Sequence, residues 1–305
     1  MAISRAQLLK ELVPGLNALF GLEYDSYENE HEEIYSVNSS DRAFEEELKL
    51  SGFGAAAVKD EGEAISYDNA QEHYVARYNH ETIALGFSIT EEAVEDNLYD
   101  SLSARYTKAL ARSMAHTKQV KAASPINNGM PSGSFNSGDG VTLFNTAHPL
   151  VSGGTNSNTP GTAHDLNETS LEADIIAISE FTDERGLLIA ARPQKLVVPP
   201  ELMFVCTRIL QSELKTGTDH NDINAIRAMG SVPEGYRVNH FFTDADAYII
   251  TTSINKDDGM KMFVRTPVST ATEGDFETGS MKYKARERYS FGVSDPLGVY
   301  GSPGA

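Results

Sequence analysis

Apolar and polar positions repeat with different periods along the chain, and the changes of period divide it. Residues 4–20 place Leu8, Leu9, Leu12, Val13, Leu16, Leu19 and Phe20 at helical spacing behind Ser4, a good helix cap. The pattern predicts an amphipathic helix, kinked or broken at Pro14. So apolar a terminal helix must dock, on its own core or on a neighbouring chain. Residues 23–50 carry no such stripe. They run from Glu23 to Glu45-Glu46-Glu47 with Arg42 the only Lys or Arg before Lys49, and they predict an extended arm with little core of its own.

Strand-like alternation begins after the small-residue segment at Gly52, Gly54 and Ala55–Ala57 and the turn Lys59-Asp60-Glu61-Gly62-Glu63. Ala64–Tyr67 and Tyr74–Ile89 predict a long two-stranded loop, with Ile83, Leu85, Phe87 and Ile89 on one face. Residues 91–123 predict a helix. Thr90 caps it, Glu91 and Glu92 occupy its first turn, and Val94, Leu98, Leu102, Tyr106, Ala109, Leu110, Ser113 and Met114 form its stripe. Lys118 and Lys121 close it before Ser124-Pro125. Its 33 residues make a rod of roughly 50 Å, longer than a compact domain of this size needs.

Residues 127–162, rich in Gly, Asn, Ser and Pro, predict a surface excursion with a hairpin at Ser137-Gly138-Asp139-Gly140. A helix over 167–182, strands at 187–190 and 195–198, and a helix from Pro199-Pro200 to Leu214 follow, a mixed α+β order. Strands are predicted at Tyr248–Thr252 and Lys261–Thr266, joined by the turn Asp257-Asp258-Gly259. The last strand, Met281–Phe291, has two faces. Lys282, Lys284, Arg286 and Arg288 share one; Met281, Tyr283, Ala285, Tyr289 and Phe291 share the other, broken by Glu287.

Charge sharpens this picture. The net charge is −19, and the first hundred residues hold half of the 44 acids but only six of the 25 lysines and arginines. That distribution argues against sequence-specific DNA recognition, which needs a basic footprint. No stretch is apolar enough to span a membrane, and no signal peptide is expected. The single Cys206, following the apolar run Leu202–Val205, reads as a buried thiol of a protein made in a reducing cytoplasm. Nucleophile elbows, phosphate loops, dinucleotide fingerprints and zinc-protease motifs are missing from the sequence. His148 before Pro149 reads as a loop residue; a hydrolase using His164 and Asp165 is the enzymatic rival, although Asp165 fits a helix cap better. The four-base face of the last strand reads either as a solvated edge resisting strand pairing or as a contact surface. Its partner would be phosphates or, better, an acidic surface of a second copy, because residues 23–47 supply one.

Four runs then acquire a common meaning: Gly15-Leu16-Asn17-Ala18-Leu19-Phe20-Gly21-Leu22-Glu23-Tyr24, His80 through Glu92, Asn221-Asp222-Ile223-Asn224-Ala225-Ile226-Arg227, and Gly274-Asp275-Phe276-Glu277-Thr278-Gly279. With the ending Lys284 through Gly292 and Tyr300 through Ala305, their order and spacing resemble tailed-bacteriophage major capsid proteins over nearly the whole chain. The resemblance implies the Hong Kong 97-type α+β fold. It divides the chain into an N-terminal arm (1–50), an extended β-hairpin loop (51–86), and a peripheral domain with a long spine helix (87–128). An axial domain (129–254), peripheral strands and loop (255–290) and a C-terminal segment (291–305) complete it.

The function so implied is structural: hexamers and pentamers closing an icosahedral head around double-stranded DNA, which is contacted non-specifically. The protein would be assembled in the bacterial cytoplasm and reside in the virion. Catalytic residues, metals, cofactors and membrane contact are not expected. Partners are copies of itself, a separate scaffolding protein (only about 50 residues precede the loop), a portal and decoration proteins. Some relatives crosslink lysine to asparagine; Lys59 suits such a loop position, but no asparagine partner is identified. Candidate inter-subunit contacts are Leu8, Leu12, Leu16 and Phe20 of the first helix; Glu45, Glu46 and Glu47; Lys59, Glu61 and Glu63; Glu273, Asp275 and Glu277; and Lys282, Lys284, Arg286 and Arg288. The first helix and loop 55–80 are expected to lie across neighbouring subunits. The shell of a bacterial cargo compartment is the structural rival.

Overall fold

The computed structural model describes residues 5–90, 92, 99–215, 222–275, 277 and 279–305, with side chains omitted at 5–14 and 99–102. The expectations for Ser4, Glu91, Val94 and Leu98, and for the side chains of Leu8, Leu9, Leu12, Val13 and Leu102, lie outside the described residues.

Two four-stranded sheets organise the protein. The peripheral sheet has the order β1 (Ser36–Ser39), β10 (Met260–Gly274), β11 (Met281–Val293), β4 (Glu81–Ile89). Helices α1 (Arg5–Asp25) and α2 (Tyr99–Asn127) cover one of its faces, where Leu16, Phe20, Leu110, Ala111, Met114, Tyr283 and Ala285 form a core. The axial sheet has the order β12 (Val299–Ser302), β9 (Tyr248–Thr252), β7 (Pro193–Val198), β8 (Tyr236–Val238). It packs against α3 (Glu168–Ser179), α4 (Met203–Gln211) and α5 (Ala225–Met229) through Leu171, Ile178, Leu196, Cys206, Ile209 and Ile250. Val197, Ile249 and Val299 point to its other side, into a core shared with Ile34, Tyr35, Ile126, Met262 and Tyr289. Burial on both faces is why β9 is buried at every position rather than alternating.

Several expectations are corrected. The helix stripe is rotated: Tyr106, Ala109 and Ser113 are exposed, while Ser103, Thr107, Ala111, Ala115, Ala122 and Ala123 are buried. Ala111 lies in the core formed with α1 and the sheet, and Ala122 in the core with Ile34 and Tyr35. Helix α1 runs unbroken through Pro14, and α2 continues past Pro125 to Asn127. Tyr74–Ile89 is not one strand. It divides at His80 into β3 (Glu72–Asn79) and β4, which belong to different sheets. The partner of β3 is β2 (Phe44–Leu50), from the segment expected to be an arm, while Ala64–Tyr67 forms no strand. Leu187–Ala190 forms only an isolated bridge, Thr182 to Leu188. A minor pair, β5 (His148–Pro149) and β6 (Thr155–Asn156), lies within the surface excursion.

The largest correction concerns residues 5–50, which fold back on their own body. Their acids and aromatics find partners there. Ile34 and Tyr35 are buried, and the Tyr35 hydroxyl donates to the Ala122 carbonyl at 2.7 Å. A 3₁₀ turn, Glu30–Glu33, clasps the axial unit: Glu33 meets Lys195 at 2.6 Å and Arg237 at 3.1 Å, and Glu30 meets His240 at 2.6 Å. His31 in the same turn is 3% exposed and accepts from the Gln119 amide at 3.0 Å. Burial first, and the Lys118 charge second, hold its imidazole down to about 4.

Two outcomes follow from this packing. Leu16→Ala should cost about 3 kcal/mol and Phe20→Ala about 4 kcal/mol in urea denaturation of the protomer; a free arm would show no loss. The unfolded His31 takes up its proton near 6.5 and the folded one only near 4, so its stabilisation is intact above 6.5 and lost as pH falls to 4. The expected loss is about 3 kcal/mol, read as the difference in pH profile between the native chain and His31→Gln.

Candidate assembly interface

The open face of the peripheral sheet carries the basic ladder. In β11 the alternation holds: Met281, Tyr283 and Ala285 are buried beneath the helices, and Lys282, Lys284 and Arg286 are exposed, with Arg288 half-buried. The strand lies between β10 and β4, so the ladder is not a device on a sheet edge. Register places small or polar residues beside each cation. Ser88, Gly86, Ala84 and Thr82 of β4 lie opposite Lys282, Lys284, Arg286 and Arg288. On the other side stand Glu273, Ala271, Ser269 and Thr266 of β10. Residues paired across strands share a face, so nothing bulky shields the cations. Lys282 binds Asp275 at 2.7 Å. Lys284, Arg286 and Arg288 have no ion-pair partner among the described residues.

Glu287 interrupts the apolar face for a reason. It is 1% exposed, and its Oε2 accepts from the Tyr24 hydroxyl at 2.9 Å and lies 3.0 Å from Lys118 Nζ. This pair joins α1, α2 and β11; burial, reinforced by the Glu287 charge, pushes the Tyr24 phenol well above its ordinary range.

The predicted acidic partners divide into two sets. Glu45 accepts from Ser40 at 2.7 Å, Glu46 lies 3.7 Å from Arg77, and Glu47 lies 2.8 Å from Lys261. Each member of that triplet has a partner within its own chain, with Glu46 still half-exposed. Leu16 and Phe20 are 4% and 3% exposed in the protomer's own core, so they are not surface contacts. Glu273 and Glu277 are exposed. Lys59, Glu61 and Glu63 are exposed in the loop over residues 51–71, where the Glu63 amide donates to the Asp60 carbonyl at 3.2 Å and closes a turn. They have no ion-pair partner among the described residues.

That loop has a fixed root and an uncovered tip. Tyr78 stacks edge-on against Phe263 at 4.8 Å, and the Tyr74 hydroxyl donates to the Ser294 carbonyl at 2.9 Å. Gly292 permits this contact, since a Cβ there would stand 2.6 Å from the Tyr78 ring. Arg185 reaches both carboxylate oxygens of Asp68 at 3.0 Å. The amides of Gly54 and Asn69, with Arg185, hold the Asp68 carboxyl below its usual range. His73 lies 3.0 Å from Glu184. Beyond this root, Val58 and Tyr67 are 94% and 93% exposed, as open as in an unfolded chain, with Phe53 and Ile65 also exposed. A second set of exposed apolar side chains, Phe204, Ile223 and Met229, lies on the axial unit.

The enzymatic rival lacks its apparatus. His164 meets Asp174 at 3.2 Å, not Asp165, whose carboxylate accepts the Ala305 amide. Asp174 also accepts from Tyr248 at 2.6 Å; burial raises its carboxyl despite those bonds. The nearby Ser302 hydroxyl donates to the His164 backbone carbonyl at 2.8 Å rather than engaging its ring. His148, expected in a loop, is instead a buried clamp between Asp139 at 2.6 Å and Asn158 at 3.0 Å, and Asn158 in turn donates to the Leu143 and Pro296 carbonyls. Burial lifts the Cys206 thiol to about 12, so it is unreactive. Among the described residues no cluster of three His, Cys, Asp or Glu can hold a metal, and no helix is long and apolar enough to cross a membrane.

Solved structures share this architecture. The virus-like particle protein of Pyrococcus furiosus is 10% identical, with 94% of this chain and 97% of that chain covered at a TM-score of 0.51. The capsid of an empty GTA particle is 15% identical, covers 88% and 87%, and has a TM-score of 0.55. The capsid of Myoviridae phage XM1 is 9% identical, covers 88% and 90%, and has a TM-score of 0.50. These identities establish a common fold, the mixed α+β Hong Kong 97-type capsid fold. No curated protein matches the sequence. The model of the phage capsid protein family matches residues 74–302, which hold both sheets except β1 and all the helices but α1. This chain therefore belongs to the phage capsid protein family, structural and non-enzymatic components of the virion.

Proposed function

We propose that this protein is the major head subunit of a tailed phage, forming hexamers and pentamers of an icosahedral shell around double-stranded DNA. The loop over residues 51–71 carries the reading. A soluble monomer gains nothing by presenting Val58, Ile65 and Tyr67 to water on a root held by ion pairs, whereas a subunit covered by its siblings does. Phe204, Ile223 and Met229 on the axial unit await the same cover, around the ring centre. The clasp of Glu30 and Glu33 on His240, Arg237 and Lys195 lies where the peripheral and axial units meet. Being partly exposed, it suits small adjustments between five-fold and six-fold rings.

The acidic balance keeps packaged DNA from adhering strongly to the wall, so contact with it is non-specific. A separate scaffolding protein, a portal and decoration proteins are the further partners of this reading. The shell of a bacterial cargo compartment is the second reading, but the family match favours the phage head.

Expression with the neighbouring head genes should yield closed shells in negative-stain electron microscopy. Replacing residues 55–67 by a short Gly-Ser linker should leave a folded protomer, with an unchanged circular dichroism spectrum, and lower shell yield at least about tenfold. Normal shells from that variant would overturn the reading.

A further inference from the structure

Acids surround the root of the loop over residues 51–71, and two of their counter-charges are histidines. Burial first, and then the charges of Asp295, Asp139 and Glu184, raise the Tyr74 phenol well above its ordinary range. Each of those carboxylates has its own cation. Lys49 pairs with Asp295, His148 with Asp139 at 2.6 Å, and His73 lies 3.0 Å from Glu184. Both histidine sites press on Tyr74. The His73 ring meets the Tyr74 ring edge-on at 4.8 Å, and a Cβ on Gly138, beside Asp139, would stand 2.6 Å from that ring.

Hydrogen bonding fixes the charge that His148 needs. The Asn158 side-chain amide donates to the Leu143 and Pro296 carbonyls at 2.8 and 2.9 Å, so its oxygen faces the Asn145 amide at 2.9 Å and His148 Nε2 at 3.0 Å. An oxygen there can only accept, so Nε2 carries a proton. At Nδ1 stands the Asp139 carboxylate, which also accepts from the Ser137 hydroxyl and the Val141 amide. Although burial opposes it, these donors hold the Asp139 carboxyl below its usual range, so it too only accepts. Two acceptors call for two donors, which imidazolium alone provides. A neutral ring sets a lone pair against one acceptor, in a pair whose side chains are 4% and 1% exposed. At the second site His73 Nδ1 makes no hydrogen bond, so its approach to Glu184 is an attraction between charges, present only while His73 is protonated.

We propose that His148 and His73 form a proton-operated lock on the loop root, holding Tyr74 and the β2–β3 ribbon when protonated and releasing them when neutral. Histidine is the side chain whose charge ordinarily changes between about pH 5 and 8. Once both are neutral, Asp139 and Glu184 lie buried beside Asp295 without counter-charge, which is strongly unfavourable. The contacts are therefore complete below the ordinary imidazole range and lost as pH rises through it, the opposite sign to His31. The other charges at the root are paired without histidine: Arg185 with Asp68, and Lys261 with Glu47 and Asp258. Burial, then Arg288, hold His80 at the end of β3 below its ordinary range, so its proton binds on the acid side and causes no loss toward alkali. The lock belongs to the protomer and stands whether or not shells form.

Amide hydrogen exchange of the full, unassembled chain tests it at about pH 5.5 and about pH 8.5, which straddle ordinary imidazole titration. Both lie above the value of about 4 at which His31 takes up its proton. With rates divided by those of an unstructured peptide at each pH, protection of Glu72–Asn79 should fall about tenfold or more toward the higher pH. Protection of Tyr248–Thr252, buried at every position, should change less than about twofold. His148→Gln with His73→Gln should leave Glu72–Asn79 weakly protected at both values and abolish its pH dependence. Imidazole nitrogen chemical shifts of the native chain at the lower pH should show both ring nitrogens of His148 protonated. Protection that does not change with pH, a double variant that keeps the native response, or a bare His148 nitrogen at the lower pH each overturns the lock. Should the double variant not fold, the native profile and the nitrogen shifts decide.

Discussion

The packing of α1 and α2 on one face of the peripheral sheet is the constraint from which the rest follows. Leu16, Phe20, Leu110 and Met114 bury Tyr283 and Ala285, and a strand cannot turn one set of side chains inward without turning the alternate set outward. A shift of one residue would bury four cations, so the register of β11 between β10 and β4 is strongly specified. The exposed ladder is thus a direct consequence of core formation, and the same register aligns it with a floor of small residues.

Glu287 shows how far that constraint reaches. Its carboxylate is carried inward by the pleat and is tolerated only because Lys118 and Tyr24 meet it. The ion pair binds the terminal helix, the spine and the central strand into one body. Farther along, Glu30 and Glu33 bind the same terminal segment to the axial unit. An acidic segment with the composition of a free arm is therefore in part an internal strap, while the acids of the loop turn and Glu273 and Glu277 are exposed.

Elements whose signal is local are legible in the sequence. The strand Tyr248–Thr252, the two-faced final strand and the helix after Asn167 stand where periodicity places them, although that helix ends at Ser179 and its cap is Asn167 rather than Asp165; Asn167 accepts the Ser170 amide at 2.9 Å, and the Ser170 hydroxyl accepts the Asn167 amide. The phase of α2 is not legible there, because its buried face includes Ala111, Ala115 and Ala122, small residues that an apolar stripe does not single out. Nor is the partner of β3: pairing Phe44–Leu50 with Glu72–Asn79 across a 21-residue gap depends on Tyr74 and Tyr78 finding Ser294 and Phe263, far away in sequence.

The sequence by itself determined the family, the α+β character, the surplus of acid in its first third and the segregation of cations onto one face of the last strand. These are properties of order and period, which a linear text contains. Only the tertiary structure decided which charges are free. It paired Glu45, Glu46 and Glu47 at home, buried Leu16 and Phe20, and left Glu61, Glu63, Lys284 and Arg286 without ion-pair partners among the described residues. The reason is that pairing depends on distance in space, and residues such as Glu47 and Lys261 meet although the chain separates them by 214 positions.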